Sequence, residues 1–160
     1  MSAFDKINET EYNTLKSAVA QITVLIAGAD GDIAHKEIEW AEKLTKIRGF
    51  APPEVLNQFY NNVGEDFSNQ LQDIMDNVPE DTEERNQMLS AELTKLNPIL
   101  AKLDNGLAFR LYHSFLSFAK HIATETGGFF RFGAISSEEK RWIGLPMLTE
   151  IIEEAHSDDD

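Results

Sequence analysis

The chain has 160 residues, 42% of them hydrophobic, and a formal net charge of −14, which is enough apolar material for one domain with a buried core. Ten phenylalanines and two tryptophans argue against disorder, and the acidic balance argues against nucleic acid, whose phosphates demand a positive surface. The lack of cysteine excludes disulfides, thiolate metal sites and cysteine nucleophiles.

Apolar residues recur at helical spacing almost throughout, with no sustained alternation of the kind strands need. The first predicted helix runs from Glu9 to Gly28, with Leu15, Val19, Ile22 and Ile26 as its buried stripe. A second starts near Ala34 and ends at Arg48, with Gly49 as its C-cap. Its inner face is Ile38, Trp40 or Ala41, Leu44 and Ile47. Pro52-Pro53-Glu54 opens a third, since proline suits the first helical turn, and Val55, Leu56, Phe59, Tyr60 and Val63 form its apolar face. Phe67, Leu71, Ile74 and Met75 mark a fourth, closed by Val78-Pro79. The segment from Glu80 to Asn97 carries a fifth, with Met88, Leu89 and Leu93 inward, and 98–104 is a turn or short sixth piece.

Leu107 to Thr126 is long and strongly apolar, which places it at the centre of the core. The last helix begins at Ser136, with Glu139 as capping-box partner, and Pro146 should kink or restart it. The expected fold is all-α: a single compact bundle of about seven helices over residues 1–160, with a short disordered N-terminus and an acidic tail ending in Asp158-Asp159-Asp160. The N-terminal residues have no apolar signal region. The longest apolar stretch, Ile22 to Ala29, is far too short to span a bilayer. A cytoplasmic location is the expectation.

One unit occurs twice. Ile26-Ala27 is followed by Gly31, Ile33, Glu37 and Trp40; Ile122-Ala123 is followed by Gly127, Ile135, Glu139 and Trp142. Both tryptophans of the chain sit at the same place in this unit, so an internal pseudo-twofold is expected. The first copy holds Asp30-Gly31-Asp32 between its helices, with Glu37 beyond. Hard cations take several oxygen ligands from such compact bends, although the spacing is not that of an EF-hand. Glu125, Glu138 and Glu139 are the matching carboxylates of the second copy. Helix capping and the helix dipole account for the same residues without a ligand. If a cation is held, calcium or magnesium suits these oxygens better than zinc.

Ala29-Asp30-Gly31-Asp32-Ile33-x-x-x-Glu37, together with Gly127-Gly128-Phe129-Phe130-x-Phe132-Gly133-x-Ile135-Ser136-x-Glu138-Glu139, resembles the TerB-like (tellurite resistance) domain. The resemblance extends from about Glu11 to about Glu154. It implies an all-helical fold with an internal pseudo-twofold, and acidic residues that bind divalent metal. It also implies stress resistance exercised through protein complexes, some at the membrane. By motif position Asp30, Asp32 and Glu37 form the first acidic site, and Glu138 and Glu139 the second. Ala34 departs from the expected capping serine or threonine, and Glu125 matches Asp30 less closely.

The second copy inserts Gly127-Gly128-Phe129-Phe130-Arg131-Phe132-Gly133, either a lid folded over the core or a docking patch anchored by Arg131. His121 lies four residues before Glu125, one helix face, where the pair could take a transition metal; His113 shares the same helix. His35 and His156 fall on acidic stretches and read as solvated.

No phosphate-cradling loop, nucleophile elbow or zinc-helix motif is present in the sequence, so no enzyme is expected. The leading expectation is a cytoplasmic, non-catalytic, divalent-cation-binding interaction module with a protein partner. The alternative is a metal-independent acidic adaptor that recognises a basic partner.

Overall fold

The computed structural model describes residues 2–29, 35–49, 54–123 and 137–154. Among these residues a 3-10 turn, Ser2–Phe4, precedes seven α-helices: α1 Glu9–Ala27, α2 His35–Arg48, α3 Glu54–Asn77, α4 Thr82–Thr94, α5 Leu96–Lys102, α6 Asn105–Ile122 and α7 Ser137–Ile143. No strand occurs among the described residues. The helices form an all-α bundle.

Helix α1 starts with a full capping box. Asn8 Oδ1 accepts from the Glu11 amide at 2.8 Å, and Glu11 Oε1 accepts from the Asn8 amide at 3.0 Å. Its first half is amphipathic, but from Ala18 to Ala27 every residue except the half-buried Gln21 is buried. A run without a charged residue needs no solvent face. This makes α1 the central element, packed against each of α2 to α7. The sequence favoured Leu107–Thr126 for that position. In the fold α6 buries one face and leaves Arg110, His113 and Lys120 exposed on the other, which suits an outer helix.

The third and fourth predicted helices are one element, the 24-residue α3. Gly64 sits inside it, and one glycine weakens a helix by only about 1 kcal/mol. The apolar stripe Leu56, Phe59, Tyr60, Val63, Phe67 and Leu71 runs through it without a change of phase, and all six are buried. That burial outweighs the glycine penalty several-fold.

Phe59 is the hub of an aromatic cluster. Its ring centroid lies 6.0 Å from Phe4, 5.9 Å from Tyr12, 5.2 Å from Tyr60 and 6.2 Å from Phe115. Phe4 is only 6% exposed. The 3-10 turn is therefore tied into the core through Phe4.

Two predicted core positions face solvent: Ile47 is 50% exposed and Met88 40%. In α2 the inward stripe is Ala41, Leu44 and Thr45, which turns Ile47 outward. In α4 it is Arg85, Asn86, Leu89 and Leu93. The two polar members take inward places because α4 crosses the end of α1, where carbonyl groups need donors.

Helix α7 ends at Ile143, before Pro146, and no helix restarts in 144–154. Leu145, with φ 46°, turns the chain out of α7 into a C-terminal segment without regular secondary structure. The expected capping box of Ser136 and Glu139 lies outside the described residues, as do the Phe129–Phe132 loop and the acidic tail.

Candidate functional site

The six candidate ligands fall in two places. Asp30, Asp32 and Glu125 lie outside the described residues. Glu37 is in the first turn of α2, and Glu138 and Glu139 are in the first turn of α7; their carboxylates lie outside the described residues too. What is described is the frame that carries them, and it converges on the first turns of α4.

Arg85 and Asn86 grip the end of α1. Arg85 is 5% exposed and its Nη2 donates to the Gly28 carbonyl at 2.6 Å. Asn86 is fully buried and its Nδ2 donates to the Ala29 carbonyl at 3.3 Å. The backbone amide of Gly28 closes the helix onto Val24 at 2.9 Å. The C-terminal end of a helix carries partial negative charge, and α1 has no basic residue in its last turn. Arg85 supplies the missing positive charge from another helix, one residue short of the Asp30-Gly31-Asp32 bend. Asn86 Oδ1 is buried without a hydrogen-bond partner among the described residues.

Two residues earlier, α4 reaches the second copy of the repeat. Arg141 donates from Nη1 to Glu83 Oε1 at 3.0 Å and from Nη2 to Oε2 at 3.1 Å, the bidentate geometry that favours arginine over lysine. The same guanidinium lies 4.4 Å from the Trp142 ring centroid. This pairing, then a hydrogen bond from Gln87, holds the Glu83 carboxyl below its ordinary range. Helix α4 thus joins both motifs: Glu83 holds α7 one turn after Glu138, and Arg85 holds the chain just before Asp30. Apolar periodicity does not reveal Arg85 and Asn86, because both are polar residues in inward positions. The signal was their place on the stripe continued by Leu89 and Leu93.

The histidines on α6 are otherwise engaged. His121 Nδ1 lies 3.4 Å from Arg48 Nη2, so that nitrogen faces a permanent cation. His113 is exposed, its ring 4.3 Å from that of Phe109. Among the described residues no group of three or more histidine, aspartate or glutamate side chains converges as a metal site. No helix among them is long and apolar enough to cross a membrane.

Compared with protein-family models, curated proteins and solved structures, the chain matches none.

Proposed function

We propose that the protein is a cytoplasmic, non-catalytic interaction module of the TerB-like kind, acting in stress resistance through a protein partner. In this reading a divalent cation, calcium or magnesium before zinc, is held by Asp30, Asp32 and Glu37. The observation that carries it is the buried corner formed by Arg85 and Asn86 against Gly28 and Ala29. Asp30 and Asp32 follow Gly28 and Ala29 directly in the chain, so carboxylates gathered there would repel each other, and the buried Arg85 guanidinium at Gly28 would relieve part of that repulsion. Asn86 Oδ1, buried and without a partner among the described residues, adds a neutral oxygen of the type hard cations accept. Occupancy at this corner would reach α7 through α4 and the Glu83–Arg141 pair, giving a ligand-sensitive surface for a partner. Glu125, Glu138 and Glu139 would form the second acidic site, and the pseudo-twofold would relate the two.

Calorimetric titration with calcium, magnesium, manganese and zinc tests this, paired with melting temperatures. Binding that raises the melting temperature and disappears in Asp30→Asn supports it. The absence of heat with every cation sinks it in favour of the second reading, a metal-independent acidic adaptor for a basic partner.

A further inference from the structure

At the opposite end of α1 the chain holds part of itself as a ligand. Residues 147–154 run without regular secondary structure along α5 and the start of α6, and two asparagines clamp their backbone. Asn97 Nδ2 donates to the Met147 carbonyl at 3.1 Å while its Oδ1 accepts from the Thr149 amide at 2.8 Å. Asn105 repeats the arrangement five residues on: Nδ2 to the Ile152 carbonyl at 3.0 Å, and Oδ1 from the Glu154 amide at 2.8 Å. Each carboxamide pairs with a carbonyl and the amide two residues later, as a neighbouring strand would. Such contacts read backbone and ignore side-chain identity.

Three observations indicate that this segment is a replaceable occupant. It leaves the groove underfilled: a cavity of about 440 Å³ remains beside it, lined by Leu100 and Ala108 from the helices, by Leu103 and Asp104 between them, and by Ile151 and Glu154 from the segment. Its charge is wrong, because Glu150, Glu153 and Glu154 are exposed and have no ion-pair partner among the described residues, on a chain whose net charge is −14. Its entry is strained, since Leu145 adopts a left-handed conformation that a non-glycine residue takes at a cost.

We propose that the groove between α5 and α6 is a docking site for an extended segment of a partner protein, and that residues 147–154 strap it shut. The partner segment carries aliphatic residues where Leu148 and Ile151 sit and basic residues where the strap has Glu150, Glu153 and Glu154. Leu148 is 5% exposed and Ile151 half-buried, so these two positions supply the apolar anchor. Lysines at the acidic positions turn repulsion from the chain into attraction and speed encounter. The site is separate from the acidic corner, by roughly 28 Å along α1.

The test uses two synthetic peptides: one copies residues 146–154, the other is the same with Glu150→Lys, Glu153→Lys and Glu154→Lys. Fluorescence anisotropy measures their binding to the full chain. Thr149→Pro with Glu154→Pro removes both amide donors of the strap and leaves the groove intact. The lysine peptide is expected to bind this variant about tenfold or more tightly than the wild type, and more tightly than the acidic peptide. Adding Asn97→Ala and Asn105→Ala is expected to weaken binding by at least about tenfold. Equal binding with and without the asparagines, or no binding to the released chain, overturns the proposal. If circular dichroism shows the proline variant unfolded, the lysine peptide is titrated into wild-type protein while the side-chain amides of Asn97 and Asn105 are followed by NMR. Shifts confined to those amides support the groove, and unmoved amides at the highest peptide concentration overturn it. All readouts are taken in chelator, so failure of the cation reading leaves them unaffected.

Discussion

Arg48, in the last turn of α2, makes two hydrogen bonds to Ser114 of α6 through one guanidinium nitrogen: Nη1 donates to the carbonyl at 3.1 Å and to the hydroxyl at 2.8 Å. Its other nitrogen donates to Ser117 Oγ at 2.9 Å. The guanidinium carbon lies 5.5 Å from the ring centroids of both Tyr60 and Phe118. One residue thereby fastens three helices.

Arg48→Met is expected to lower stability by about 2–3 kcal/mol, since it removes charge-assisted hydrogen bonds and two cation–π contacts. Arg48→Lys should recover only part of this, because an ammonium cannot fork between Ser114 and Ser117. Urea denaturation of both variants measures the effect, and equal stability of Lys and Met variants would leave the forked geometry without a role.

All three tyrosines are held above the ordinary phenol value, and burial is the first cause in each case. For Tyr60 the nearby Arg48 and the hydrogen bond with Ser114 oppose the rise. For Tyr12 the hydrogen bond from Asn62 opposes it and the Glu65 charge adds to it. For Tyr112 the charge of Glu150 adds to it. In the folded chain the neutral phenol is favoured, so above pH about 10 the unfolded chain binds fewer protons. Stability is full below that pH and falls as pH rises through it. Tyrosinate absorbance should appear only at higher pH than in the denatured chain. Arg48→Met should push the Tyr60 transition higher still.

Leu145 is fully buried and adopts φ 46°. Leu145→Ala keeps the strain and loses the packing, at a cost of about 2–4 kcal/mol. Leu145→Gly loses the same packing but relieves the strain. The glycine variant is therefore expected to be the more stable of the two by about 1 kcal/mol, the reverse of the usual order. Thermal melts of the pair decide the point.

Removing Arg85 should expose how much α4 holds the acidic corner. Arg85→Met leaves the Gly28 carbonyl without its 2.6 Å donor, a loss of about 2–3 kcal/mol for a buried charge-assisted bond. Hydrogen exchange should quicken at the end of α1 before it does at the Asn8 cap. Uniform protection along α1 would show that the corner is held by other means.

The Glu83–Arg141 pair is a contrasting case. Its side chains are 57% and 42% exposed, so Arg141→Gln should leave the melting temperature almost unchanged, because solvent screens such a pair. The Glu83 carboxyl, held low first by Arg141, should titrate closer to its ordinary value in that variant. The linked stability is present above the ordinary carboxylate range and fades as pH falls through the lowered value. NMR titration of Glu83 in both forms measures it.

The class of fold and much of the core were legible in the pattern of residues along the chain. Leu15, Val19, Ile22 and Ile26 lie on the stripe that their spacing predicts, and all are fully buried, because 3.6-residue periodicity is a local property. It also marked the Asp30-Gly31-Asp32 bend and the repeated tryptophans as unusual. It could not find Arg85, Asn86, Asn97 or Asn105. Polar residues on an inward stripe look like interruptions until the carbonyls they serve are in place, and those carbonyls lie 57 residues away for Arg85 and 50 for Asn97. Only the tertiary structure made α1 the central helix, fused α3 across Gly64 and returned 147–154 to α5 and α6. Each of those outcomes depends on burial and hydrogen bonding between segments distant in the chain, and local pattern carries no record of either.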